Sequence, residues 1–281
     1  MVRFFYFCPV LKVTAINIYP VKGLPAISLN TSRVLAAGLE FDRRWMLVDE
    51  KGIFISQRDT ALLSQFTIAQ NKLGFIIGYP SLNQNLQIPF FSSGNPLPVK
   101  VWDDEIIASH FSENADNWFS QILEINCRLV CMLGNVVRPI EANYNSGNDQ
   151  VSFADGFPIL MIGEESLNEL NQKLEFPILM DRFRPNIVFA GGTPFYEDEI
   201  AAFDIGSNQF IAVKPCARCQ VTTINQQNGI MENEPLKTLS TYRKINNKIM
   251  FGQNVIPKNI NGIISIGDKL IVHSHKANLL K

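Results

Sequence analysis

The chain has 281 residues, 46% of them hydrophobic and 18% charged, with a formal net charge of −1. That length accommodates two domains of ordinary size or one large one, and that composition excludes a disordered polymer. A charge so near zero provides no overall positive field for nucleic acid or an anionic membrane, and no apolar run reaches the roughly 20 residues needed to cross a bilayer.

The start, MVRFFYFCPVL (1–11), carries one positive charge and a short apolar block broken by Pro9. No small-residue cleavage site follows, so it reads as a short strand or an extension ahead of the fold rather than a signal peptide. KVTAINIYPV (12–21) alternates polar and apolar positions and ends at a turn near Lys22-Gly23, and ISLNTSRVL (27–35) repeats the alternation. RRWMLVDEKGIFISQR (43–58) reads as a hairpin around Glu50-Lys51-Gly52, with Trp45, Leu47, Phe54 and Ile55 among its apolar positions. Short apolar runs at 66–69, 73–78, 85–90 and 98–102 continue the pattern and predict a small barrel or sandwich.

SENADNWFSQILEI (112–125) then predicts a helix with Ser112 as N-cap and Trp118, Ile122 and Leu123 at helical spacing. NCRLVCML (126–133) returns to strand. The polar, loop-like segment PIEANYNSGNDQ (139–150) lies near the boundary between two parts. GEESLNELNQKL (163–174) predicts a second helix, with Leu167, Leu170 and Leu174 on one stripe and Ser166, Asn168 and Asn171 exposed. From 183 onward strands return at IVFAG (187–191), FIAV (210–213), QVTTIN (220–225) and GIISIGDKLIVH (262–273). The expected fold class is mainly β with a few helices (α+β).

Five cysteines (Cys8, Cys127, Cys131, Cys216, Cys219) are too few and too scattered for a disulfide scaffold, and their odd count fits a reducing, cytoplasmic setting. Among the three histidines, His273 and His275 fall in HSH near the end, where a frayed strand or tail outweighs a metal site about four to one. Cys216 and Cys219 form a CxxC in a turn-like segment between two strand-like ones. A thiolate is a strong ligand for a soft metal centre, and Arg218 and Lys214 make the setting electropositive. A zinc site completed by Cys127 and Cys131, and a dithiol redox pair, each hold about a tenth of the weight; the spacing is loose for the first and no helix follows for the second. Inert burial is the plain reading for Cys8, Cys127 and Cys131.

Taken together, YPVKG (19–23), DRRWMLVDEKG (42–52), FADGFPILMIGEESL (153–167), RFRPNIV (182–188), PCARCQVTTIN (215–225) and GIMENEPLKTLSTYR (229–243) resemble the MOSC proteins. That family is named for its likeness to the C-terminal part of molybdenum-cofactor sulfurase. The chain is most similar to its two-part members with an N-terminal β-barrel, the mitochondrial amidoxime-reducing component and its bacterial relatives. The resemblance runs from about residue 12 to 273. It implies an N-terminal MOSC β-barrel domain at 12–125, packed on a MOSC β-barrel domain at 126–275.

The resemblance also implies a molybdenum cofactor, with the metal carried on a pterin (Mo-molybdopterin) and Cys219 as its protein ligand. Cys216 then shapes or packs the turn. Lys22, Arg43 and Arg184 supply charge for the cofactor's phosphate and carbonyls, Asn186 offers hydrogen bonds to the pterin edge, and Arg218 precedes the metal thiolate. Pro185 is expected to hold its surroundings extended. Gly23 stands where the family commonly has serine, and Gly156-Phe157 stand where mitochondrial members have a Thr-Ser pair, so at Gly23, Gly156 and Phe157 only main-chain contacts carry over.

The implied activity is reduction of N-hydroxylated compounds: hydroxylamines, amidoximes and N-hydroxylated bases. The alternative is a non-catalytic carrier or insertion protein for the cofactor or its sulfur. No cysteine occurs among the 62 residues after Cys219 (281 − 219), so no iron–sulfur cluster is expected there by cysteine ligation. Electrons are expected from a separate flavodoxin, ferredoxin or reductase.

Overall fold

Alternation in the first apolar segment produces the strand Lys12–Ile18, with Val13, Ile16 and Ile18 buried. Its partners are Ile27–Leu29 and, far along the chain, Ile187–Ala190, in the register Lys12↔Ala190 and Ile16↔Ile187. A bulge between Val13 and Ala15 resets the phase of the alternation. The computed structural model describes residues 10–92, 94–147, 149–260, 262–278 and 280. The readings for Cys8 and for most of the segment 1–11 lie outside them.

The fold is mainly β, with three α-helices among the described residues: Glu113–Leu123, Glu164–Asn171 and Leu236–Leu239. The largest sheet has nine strands, ordered Leu270–His275, Ile200–Ile205, Asn208–Ala217, Lys248–Pro257, Ile159–Gly163, Ile187–Ala190, Lys12–Ile18 and Ile27–Leu29, with Lys244–Ile245 pairing to Lys248–Pro257. Among the described residues, only Ile159–Gly163 and Ile187–Ala190 run parallel within it. A four-stranded sheet orders Trp45–Val48, Arg128–Cys131, Asp104–His110 and Pro96–Val101. Two three-stranded sheets complete the fold of the described residues: Ile263–Ser265 with Thr31–Leu35 and Gly38–Leu39, and Thr67–Gln70 with Gly74–Gly78 and Leu86–Pro89. No helix of the described residues is long and apolar enough to cross a membrane.

One apolar cluster ties early and late segments together. It joins Trp45, Phe75, Phe119 and Leu129 to Ile159, Phe189, Phe203 and Phe210. Early strands therefore complete the late sheet through their hydrogen bonds and share its core, and the seam between the two regions is closed by packing.

The helix Glu113–Leu123 begins as expected, with the Ser112 hydroxyl accepting from Ala115 N at 3.2 Å. Its buried face carries Ala115, Phe119 and Leu123, four residues apart, with Trp118 and Ile122 packed beside them.

Several local expectations fail. The segment 220–225 is not a strand: Gln220–Thr223 forms a 3-10 turn. Its threonine hydroxyls donate to carbonyls three residues back, Thr222 to Cys219 O at 2.9 Å and Thr223 to Gln220 O at 2.7 Å, which satisfies the turn locally in competition with a ladder. The run 27–35 splits at Asn30 into strands of different sheets. Ser166 is buried, not exposed, because its hydroxyl donates to the buried Glu197 carboxylate at 2.8 Å and accepts from Phe195 N at 2.8 Å. His273 and His275 belong to a paired strand rather than a frayed tail, His273 facing Asp204 at 2.7 Å and His275 facing the Tyr196 hydroxyl at 3.0 Å.

Candidate functional site

The turn after Lys12–Ile18 carries Lys22 inward because Val21 bridges Trp45 and Lys22 N donates to Trp45 O at 2.8 Å. Lys22 is 7% exposed, and its ammonium donates to Phe153 O at 2.9 Å and to Asp155 Oδ1 at 2.5 Å. Burial pulls its pKa below the usual lysine value, against the raising effect of Asp155. Gly23 has φ +92°, and a Cβ there would come 3.1 Å from the Leu63 side chain, so the glycine both permits the turn and leaves its floor open.

Arg43 and Arg184 approach the same place from different regions. Both sit at left-handed backbone angles, φ +49° and +56°. Arg43 Nη1 donates to Asp42 Oδ2 at 2.6 Å and to Asn186 Oδ1 at 3.1 Å. Burial lowers its pKa, but Asp42, with smaller help from Tyr19 and Asp155, offsets this and the net direction is upward. Arg184 Nη2 donates to Leu24 O at 2.7 Å. Burial lowers Arg184 to about 10. The extended backbone expected around Pro185 is not found: Arg184 ends a 3-10 turn, Met180–Phe183, in the left-handed region.

The Asn186 amide is held by three protein contacts. Its Oδ1 accepts from Arg43 and from Leu160 N at 3.1 Å, and its Nδ2 donates to Asn17 O at 3.1 Å. Its carbonyl end is thus engaged by Arg43 and Leu160 N, while the residue itself lines the cavity.

The strand Asn208–Ala217 delivers the cysteine turn, held by Arg218 N donating to Ile249 O at 2.7 Å. Cys219 is exposed and precedes the 3-10 turn. Arg218 turns toward the other sulfur: Nη1 lies 3.1 Å from Cys216 Sγ and Nη2 donates to Phe183 O at 2.6 Å. Its Nε is buried with no partner. Lys214 does not contribute to the setting of Cys219; it is paired with Glu141 and lies over the Tyr144 and Phe157 rings.

These segments enclose a cavity of about 160 Å³ lined by Lys22, Gly23, Arg43, Gly156, Phe157, Arg184, Asn186, Arg218 and Cys219, which are all of the site residues expected from the sequence. Phe157 packs edge-on against Tyr144, and a Cβ on Gly156 would meet only open space. Among the lining residues that were not anticipated, two are charged. Arg58 lies over the Trp102 ring at 4.5 Å and 3.6 Å from Asp155 Oδ2. Asp155, with its side chain 59% exposed, also accepts from Trp102 Nε1 at 3.2 Å. Although partial desolvation raises Asp155, Lys22 and Arg58 outweigh it and hold the carboxyl below the ordinary range. Arg58 closes the segment 43–58, and its charge was the one signal available; Asp155 stands beside Gly156 in a segment already singled out.

Five cationic side chains line the cavity (Lys22, Arg43, Arg58, Arg184 and Arg218) against one carboxylate, Asp155, with Asp42 behind Arg43. Such a surplus in a confined space selects an anion. Among the described residues no group of three or more His, Cys, Asp or Glu could hold a metal ion, and Cys127 and Cys131 are buried. A metal here would take one protein sulfur and bring its other ligands with it.

Residues 148–271 match the MOSC domain, and residues 10–126 match the MOSC N-terminal beta barrel domain. The chain is 32% identical over 245 residues to mitochondrial amidoxime-reducing component 1 of Mus musculus, covering 82% of this chain and 71% of that one. The chain belongs to the MOSC family. Within it, mitochondrial amidoxime-reducing component 1 of Xenopus laevis is 29% identical over 278 residues, covering 91% of this chain and 80% of that one. The molybdenum cofactor sulfurase of Oryza sativa subsp. japonica is 29% identical over 265 residues, covering 86% of this chain but only 32% of that protein. The MOSC chain described here thus spans about a third of the sulfurase it matches.

Proposed function

We propose that this protein is a molybdenum-cofactor-dependent reductase of N-hydroxylated compounds, supplied with electrons by a separate flavodoxin, ferredoxin or reductase. The observation that carries the reading is the exposed thiol of Cys219 opening into the same cavity as five cations. The residues fit a phosphate-bearing pterin with a thiolate-ligated metal: the cations outnumber the acids, the buried Nε of Arg218 has no acceptor, and Cys219 is exposed at the cavity while Cys216 is engaged by Arg218. Similarity to proteins named amidoxime-reducing components supports the substrate class.

In this reading Cys219 ligates the metal, and Lys22, Arg43, Arg58 and Arg184 hold the anionic part of the cofactor. Gly23, Gly156 and Phe157 contribute main-chain contacts. Asn186 positions Arg43, and Arg218 steadies the cysteine turn through Cys216. When bound, the cofactor supplies two-electron redox chemistry at a centre able to accept oxygen. The net reaction converts R–NHOH, two electrons and two protons into R–NH2 and water, breaking the N–O bond. The proposed division is 12–125 and 126–275, interlocked by the shared sheet, and the proposed location is cytoplasmic, a reading supported by the unpaired thiols.

A second reading, a carrier of the cofactor or its sulfur, is supported by the sulfurase similarity. Metal and pterin content after gel filtration, followed by hydroxylamine reduction with reduced viologen, separates the two. Bound cofactor with turnover is expected. A labile cofactor without turnover favours the carrier, and absence of metal after growth on molybdate overturns both.

A further inference from the structure

The cavity's two unusual arginines share a support that the motif reading passed over. Tyr19 is 2% exposed, and the guanidinium carbons of Arg43 and Arg184 each lie over its ring, 4.3 Å from the centroid. The residue is held at its backbone N and O and at the ring's hydroxyl. Tyr19 N donates to Asp42 Oδ1 at 2.8 Å, Tyr19 O accepts from Arg43 N at 2.8 Å, and the hydroxyl donates to Pro185 O at 3.2 Å. These bonds reach the residue before Arg43, Arg43 itself, and the residue after Arg184.

Two features call for such a support. Arg43 and Arg184 are like charges close enough that Arg43 Nη2 lies 3.4 Å from Arg184 O. Arg184 has no carboxylate partner among the described residues; Leu24 O is its side chain's hydrogen-bond acceptor. Both arginines also hold left-handed backbone angles, which non-glycine residues keep only where surrounding contacts over-determine them. An aromatic face attracts a guanidinium through its quadrupole, and it does so most strongly where water is excluded.

We propose that Tyr19 is a positioning residue whose ring, rather than its hydroxyl, holds Arg43 and Arg184 together for an anionic ligand. This rests on reading the cavity as an anion site and, for the cofactor, on the function proposed above. The ring offsets the repulsion between the two cations in the empty state, so the pair is aligned before an anion arrives. Preorganisation of this kind raises affinity by removing the cost of gathering the charges on binding.

The test compares wild type, Tyr19→Phe and Tyr19→Leu as full chains. The first readout, on protein freed of bound cofactor, is the dissociation constant for inorganic phosphate, taken from the dependence of Tm on phosphate concentration. The second is molybdenum retained after gel filtration at rising sodium chloride. Tyr19→Phe is expected within twofold of wild type for phosphate. Tyr19→Leu is expected about tenfold weaker, with unchanged far-ultraviolet circular dichroism and molybdenum released at lower salt. Tyr19→Met replaces it should the leucine variant not fold. Phosphate affinity within twofold of wild type for the aliphatic variant overturns the inference, as does an equal loss in Tyr19→Phe, which would assign the effect to the Pro185 bond. Wild type that binds no phosphate also overturns it. Wild type that binds phosphate but no molybdenum removes the cofactor reading alone, and the phosphate comparison still decides the role of Tyr19.

Discussion

Arg218 places Nη1 3.1 Å from the sulfur of Cys216, so the guanidinium between the two cysteines serves the first and leaves the second open to the cavity. The two thiols therefore have different work: one anchors the turn, the other is available to a ligand. Cys219→Ser is expected to abolish metal retention and turnover without lowering Tm appreciably, since its side chain is exposed. Cys216→Ser is expected to retain metal and to lose activity by no more than about tenfold, one weak polar contact being exchanged for another. Metal analysis and turnover of the purified variants read both, and equal losses would point instead to a paired-thiol site.

Asn186 is 1% exposed and its amide closes three contacts, to Arg43, Leu160 N and Asn17 O. Asn186→Ala strands two main-chain groups and loosens an arginine. A destabilisation of roughly 2–4 kcal/mol is expected in urea unfolding, with weaker phosphate binding. A loss under 1 kcal/mol would show that neighbouring groups or water replace the amide.

Gln57 and Gln226 form a reciprocal amide pair across the seam, with Nε2 to Oε1 distances of 3.0 and 2.9 Å, and Gln57 also donates to Gly23 O at 2.7 Å. The pair ties the turn beside Lys22 to the loop that follows the cysteine segment. A double-mutant cycle with Gln57→Ala and Gln226→Ala is expected to give a coupling of about 1 kcal/mol. Additive effects would mean that this amide pair contributes nothing to joining the halves beyond their sheet hydrogen bonds, ion pairs and packing.

Glu197 is completely buried beside Asp198, and burial first, then that neighbouring carboxylate, push its carboxyl to about 7 from an ordinary 4.5. A carboxyl raised on folding contributes stability that is full below about 4.5 and is lost as pH rises through about 7. Glu197→Gln removes that titration. Relative to wild type, the variant is expected to gain roughly 1–3 kcal/mol between pH 4.5 and pH 8, the comparison cancelling other titrating groups. Equal pH dependence of the two proteins in urea unfolding refutes the assignment.

The readable part of this protein was its chemistry at short range. Lys22-Gly23, Arg43, Gly156-Phe157, Arg184, Asn186 and Cys216 to Cys219 stand in short motifs at turns and strand ends, and all of them line the cavity. Helix Glu113–Leu123 was legible because cap and apolar spacing agree. The turn Gln220–Thr223 was not, because β-branched threonines favour strand by shape while their hydroxyls favour a local turn by hydrogen bonding.

By itself, then, the order of residues determined which side chains bring charge, sulfur and flexible backbone to this protein, and that its body is β. Only the tertiary structure decided their partners. Lys22 meets Asp155 across 133 positions of chain, and Arg43 meets Asn186 across 143. It also decided that Arg218 faces Cys216, that Lys214 is spent on Glu141, and that Tyr19 lies beneath two arginines. Local propensity acts over a few residues, whereas these pairings follow from strand Lys12–Ile18 entering a sheet made mostly of residues more than 140 positions later, a register set by burial of a shared core.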